Sequence, residues 1–143
     1  MTEMTEALLD LVNAELLPTI TPLGFKVVET DVSEWFDNAY VILEAPALRV
    51  RVLRERSIVV VGFGPTSEPG TWFDSAVLVD YLGLSANAGF HDRDARGVLR
   101  GAGAFITSMW NELTAKFSPP ELATTKKELR ALAEERAAKM FGG

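Results

Sequence analysis

Cysteine is absent from the 143 residues, and with it disulfides, thiolate metal ligands and cysteine nucleophiles. Histidine is nearly absent. A base-activated serine would have to rely on His91 alone, and no Gly-x-Ser-x-Gly elbow occurs. Nor is there an apolar run long enough to cross a bilayer, and the start, Met-Thr-Glu-Met-Thr-Glu, lacks the basic and apolar regions of a signal peptide. These absences predict a soluble cytoplasmic protein that uses no cofactor and no metal, and they argue against an enzyme.

Bases are scarce in the first third. Residues 1–48 hold nine acids and one base, Lys26, a net of −8, whereas the remainder is +2, for a total of −6. Such a field repels nucleic acid and anionic lipid and steers a basic partner toward the N-terminal third, although the same charges also solvate a surface. The partners expected are therefore proteins, with neither nucleic acid nor membrane among them; the chain itself is expected to be a monomer or homodimer.

What is present reads as one α+β domain over 1–143: helix, sheet and short helix over 1–83, a link over 84–92, and a helical hairpin over 93–141. Met4, Leu8, Leu11, Val12 and Leu16 recur at helical spacing, predicting a helix over 3–17 that ends before Pro18. A four-stranded antiparallel meander comes after it. Its first strand, Phe25 to Val32, is expected to set Val28 and Val32 on one face and Glu29 and Asp31 on the other. Next come Tyr40 to Glu44, then Leu48 to Val52 alternating with Arg49 and Arg51, then Ser57 to Phe63. In the last of these, Ile58, Val59, Val60 and Val61 put β-branched residues on both faces, as for a strand with neighbours on either side or cover above and below. Thr71-Trp-Phe-Asp has capping-box spacing and predicts a short helix to about Leu82, stopped by Gly83. One long helix is expected from Arg93 to Phe117, then Ser118-Pro119-Pro120-Glu121 opens a final helix to about Met140.

Each candidate site has a structural counterpart. Gly62-Phe63-Gly64 comes after a strand, but the third glycine of a dinucleotide loop is missing and Pro65 and Pro69 block a helix, so the glycines read as a strand exit. His91, Asp92 and Asp94 have no second cluster to complete a metal site, and Asp92 or Asp94 is needed to cap the next helix. Arg49, Arg51, Arg54 and Arg56 form the densest basic run and read as a solvated strand face, cross-paired with acids such as Glu44. Glu29 and Asp31 suit surface charge better than acid–base catalysis. Trp35 and Phe36, flanked by Glu34 and Asp37, have the aromatic-anchor and charged-rim composition of protein interfaces, and equally that of rings folded over a sheet edge.

Two blocks carry a resemblance. Val41-Ile-Leu-Glu-Ala-Pro-Ala-Leu-Arg-Val-Arg-Val-Leu-Arg-Glu-Arg, with the Trp-Phe-Asp helix start after it, forms the first. The second is Phe117-Ser-Pro-Pro-Glu-Leu, with Lys127-Glu-Leu-Arg-Ala-Leu and Arg136-Ala-Ala-Lys-Met-Phe-Gly. Over about half its length the chain resembles small acidic bacterial proteins found among the immunity proteins of polymorphic toxin systems. The resemblance implies an inhibitor that binds a toxin domain, and it transfers no site residues. The expectation is thus a non-enzymatic module that covers a basic toxin domain with Glu29, Asp31, Glu34, Trp35, Phe36 and Asp37. The alternatives are an acidic secretion-chaperone-like protein, which would hold an unfolded client and dimerise, and a carboxylate-dependent enzyme.

Overall fold

The computed structural model describes residues 3–33, 38–55, 58–84 and 94–141. Among these are six α-helices and a five-stranded antiparallel sheet of order β1-β2-β3-β4-β5. The expected α+β class holds, with one strand more than the predicted four.

Helix α1, Glu3–Glu15, buries Leu8 and Val12, and the next residue in that four-step series, Leu16, is equally buried. The helical path does not end before Pro18. It re-forms at once as α2, Leu17–Ile20, because proline in a first turn gives up an N–H that has no intrahelical acceptor there. A 3-10 turn, Thr21–Leu23, then closes on Gly24, whose φ of +100° suits glycine.

Strands β1 (Lys26–Ser33), β2 (Asn38–Glu44), β3 (Leu48–Glu55) and β4 (Ile58–Pro65) form the meander, and a short β5 (Phe73–Asp74) pairs with Gly62 and Phe63 of β4. A bulge between Val27 and Glu29 corrects the expected facing of β1. Val27 pairs opposite Leu43 and packs on the core, whereas Val28 is displaced into solvent at 39% exposure. A bulge adds one residue to its strand and re-aims the side chains beyond it. Here it keeps Thr30 opposite buried Val41 and turns Glu29 and Asp31 to the outer face, opposite Ile42 and Tyr40.

The inner face of the sheet carries Val41, Leu43, Val50, Val52, Val61 and Phe63, all within 1% of full burial. Helices α1, α3 (Ser75–Tyr81), α4 (Ala95–Ser108) and α5 (Trp110–Phe117) pack on the strands from that side. Edge-on ring contacts join the layers: Phe63 to Phe105 at 5.7 Å and Phe25 to Trp110 at 5.4 Å. Each fully buried leucine in this core contributes about 1.5–3 kcal/mol of transfer free energy.

The helical boundaries depart from the sequence reading in two places. Thr71 does not cap α3; Trp72 stays out of the helix and Phe73 and Asp74 are taken by β5, so the cap moves to Asp74, whose carboxylate accepts from the Ala76 N–H. The single helix expected over 93–117 is interrupted at Met109, whose φ/ψ of −108°/14° is not helical. The glycines are not the break. Gly103 is buried, and a Cβ there would lie 3.3 Å from Thr19, so the bare backbone lets α2 approach α4 closely. Asp94, one of the two aspartates expected to cap this helix, does so, accepting from the Arg96 N–H at 3.2 Å.

Helix α6, Pro119–Phe141, folds back on α5 and also meets α3. Leu122, Thr125 and Leu129 are buried, while residues 134–139 are exposed throughout. Ser118 turns the corner with its hydroxyl donating back to the Thr114 carbonyl. Apart from Leu84, the expected link over 84–92 lies outside the described residues, as do His91 and Asp92. No helix among those described is long and apolar enough to cross a membrane.

Candidate docking face of the sheet

Helices cover one face of the sheet, and the opposite face is open to solvent along part of β4. The β-branched run in β4 therefore does not mark cover on both sides. Val59 and Val61 are buried inward, whereas Ile58 and Val60 point outward at 65% and 43% exposure. Strand register assembles the outer residues into rows. One row runs Asp31, Tyr40, Leu53, Val60, and the next runs Glu29, Ile42, Arg51, Gly62, Asp74. A third runs Lys26, Glu44, Arg49, Gly64. The second of these rows passes from acid at β1, through apolar Ile42 on β2, to Arg51 on β3.

Arg49 and Arg51 are not the solvated face predicted, and Arg56 of the same run lies outside the described residues. Arg49 is only 8% exposed. It pairs with Glu44, as expected, with Nε 3.2 Å from Oε1, and its Nη1 donates to the Pro69 carbonyl at 3.0 Å. The Nε contact lacks hydrogen-bond geometry, so that buried N–H is held by charge attraction alone. Arg51 is half-buried beneath Trp72, with its Cζ 4.8 Å from the ring centroid; Arg49 Cζ lies 5.6 Å from the same ring.

Gly62 and Gly64 lie beside this stack, and Gly64 makes it possible. Both lie within β4 and face outward; neither is a strand exit or a phosphate loop. A Cβ on Gly64 would sit 2.0 Å from the Thr71 carbonyl oxygen. Bare backbone at Gly64 leaves a trough through which residues 71 and 72 cross the strand. The loop is tied down on both sides: Thr66 donates to the Ala45 carbonyl, and Lys126 of α6 donates to both Glu68 oxygens at 2.8 Å. The ammonium holds the Glu68 carboxyl below its ordinary value.

Two recesses flank the Arg51–Trp72 stack. The larger, about 510 Å³, includes Glu29, Tyr40, Ile42, Leu53 and Pro69 in its lining, and the smaller, about 180 Å³, is bounded by Leu53, Val60 and Asp74. At the acidic end, the Tyr40 hydroxyl donates to Glu29 Oε2 at 2.5 Å. That bond to the carboxylate, with partial burial and the charges of Glu29 and Asp31, pushes the Tyr40 pKa up to about 12.

Of the six residues predicted to bind a partner, Glu29 and Asp31 lie on the outer face of β1, and both are exposed. Glu34, Trp35, Phe36 and Asp37 lie outside the described residues. Sequence reasoning missed Trp72, Tyr40, Leu53 and Val60 as parts of the same face. The available signal was the coincidence of alternating Arg49 and Arg51 with outward glycines on the next strand. Among the described residues, no three histidine, aspartate or glutamate side chains gather as a metal site. Compared with family models, curated proteins and solved structures, the chain gives no match.

Proposed function

We propose that this chain is a cytoplasmic protein-binding module that docks a basic protein against the acidic edge of its sheet and so neutralises it, in the manner of an immunity protein acting on a toxin domain. The observation that carries this reading is the exposure of Glu29 and Asp31 side by side on β1, at the margin of an open, partly apolar sheet face. Opposite charge at the rim steers encounter and fixes orientation, while exposed apolar area behind it supplies affinity. The acid excess of residues 1–48 extends the same field.

Co-expression tests the proposal. The product of the reading frame adjacent to this chain's gene is expressed in a bacterial host with and without the chain. Growth arrest relieved by the wild type, but not by Glu29→Lys/Asp31→Lys, is expected. Failure of the wild type to relieve arrest contradicts the reading.

A second reading is favoured by Ile58 and Val60. They lie on the part of β4 that pairs only with β3 among the described residues, and an unpaired strand edge bearing apolar side chains suits an extended client segment, as in a secretion chaperone. Exposed apolar surface retained by a monomer bound to its partner's folded domain favours inhibition; a dimer that binds only unfolded segments favours the chaperone.

A further inference from the structure

Two of the three arginines of β3, Arg49 and Arg51, differ in one respect. Arg49 has its counter-charge in Glu44, whereas the Arg51 guanidinium makes no ion pair and no hydrogen bond among the described residues. Trp72 stacks on its guanidinium, and Gly62 on the next strand sets no side chain beside it: a Cβ there would lie 3.8 Å from Nη2. Desolvation lowers the Arg51 pKa, opposed by Glu55 on the same strand, and an anion beside it would relieve that cost.

The surroundings specify what kind of anion. Arg51 lies between both recesses, and the apolar walls beside it are Ile42, Leu53 and the Trp72 ring. A carboxylate fits the planar guanidinium through two parallel N–H···O bonds, and an adjoining apolar group fits the walls. The apolar surface continues past the smaller recess to Val60 and Ile58, as an extended chain would use and a small metabolite would not. Glu29 lies in the same register row two strands away, roughly 10 Å at ordinary strand spacing.

We propose that the Arg51–Trp72 recess binds a peptide segment of the partner that presents a carboxylate beside an apolar side chain, the carboxylate on Arg51 and the apolar group on Leu53 and Ile42. This rests on the protein-binding reading only for the choice of a peptide as occupant. The partner then carries an acid and a base about 10 Å apart, matching Arg51 and Glu29, so recognition is of mixed charge and not simply basic.

The test is a titration of the full ¹⁵N-labelled chain, following the Trp72 indole N–H, assigned through Trp72→Phe, and the Arg51 Nε–H. The probes are acetyl-Gly-Glu-Leu-Gly-amide, its Gln counterpart and N-acetyl-leucine. Saturable shifts with the Glu peptide are expected, with binding at least about 10-fold weaker for Gln, the loss of one charged hydrogen-bonded contact. Arg51→Met should abolish the shifts, and Arg51→Lys, which keeps charge without the fork, should weaken them. The wild-type Glu and Gln comparison needs no variant to fold. Equal shifts with both peptides, no shift with either, or tighter binding of N-acetyl-leucine than of the Glu peptide would overturn the proposal. Failure here leaves the effect of Glu29→Lys/Asp31→Lys on growth relief untouched, so the two readings fail separately.

Discussion

Gly64 and the Thr71 carbonyl are so close that a methyl group on the glycine would lie 2.0 Å from the oxygen. That proximity draws the loop after β4 back across its own strand and lays Trp72 over Arg49 and Arg51. The outer face takes its shape from this crossing.

Gly64→Ala should therefore destabilise the protein by about 1–3 kcal/mol, the range for forcing a methyl into filled space, because the obstructing atom is backbone and cannot rotate away. Gly62→Ala is the control. Its Cβ meets the Phe73 carbonyl oxygen at 3.5 Å, an ordinary contact, and should change stability by less than about 0.5 kcal/mol. Urea unfolding of both variants checks the contrast, and equal costs would deny the crossing its role.

Gly103 poses the opposite balance. Alanine gains about 1 kcal/mol of helix propensity, but its methyl would press on Thr19 at 3.3 Å. Gly103→Ala alone should leave stability within about 0.5 kcal/mol of wild type, and in a Thr19→Gly background the same change should stabilise by about 0.5–1 kcal/mol. A double-mutant cycle by thermal or urea unfolding reads the coupling; an identical effect in both backgrounds would exclude close packing of α2 on α4.

The Tyr40 hydroxyl gives a pH signature at the acidic edge. Its folded pKa, about 12, lies above the ordinary 10, because ionising the phenol breaks its bond to Glu29 and sets two anions together. The stability this contributes is complete below pH 10 and lost as pH rises through about 12. In a Tyr81→Phe variant, which leaves Tyr40 as the single tyrosine, ultraviolet titration should give a midpoint near 12, and adding Glu29→Gln should lower it toward 10. A midpoint unmoved by Glu29→Gln would contradict the bond.

The class of fold was legible in hydrophobic period: fourfold steps of Leu8, Val12 and Leu16, twofold alternation in β3, and the Asp94 cap all appear where local chemistry requires them. What was hidden depended on neighbours far along the chain. The bulge at Val28 arises from register with β2, and Asp74 displaces Thr71 as the cap only because β5 recruits Phe73 and Asp74. The open face was missed for a similar reason. Ile58 and Val60 are as β-branched as Val59 and Val61, and residue type alone does not record that helices cover only one side. Glu29 and Asp31 could be read from charge density, whereas Arg51 acquires its stacked, half-buried position from Trp72, twenty-one residues later.

Stopped-flow association between the chain and the product of its neighbouring reading frame tests the central claim most directly. Steering by an acidic edge predicts a rate constant that falls steeply with added salt, about 10-fold or more between low and high ionic strength, and a Glu29→Lys/Asp31→Lys variant that associates slowly with a flattened salt dependence. Association of the folded variant at the wild-type rate, with the wild-type salt dependence, would contradict docking at this face.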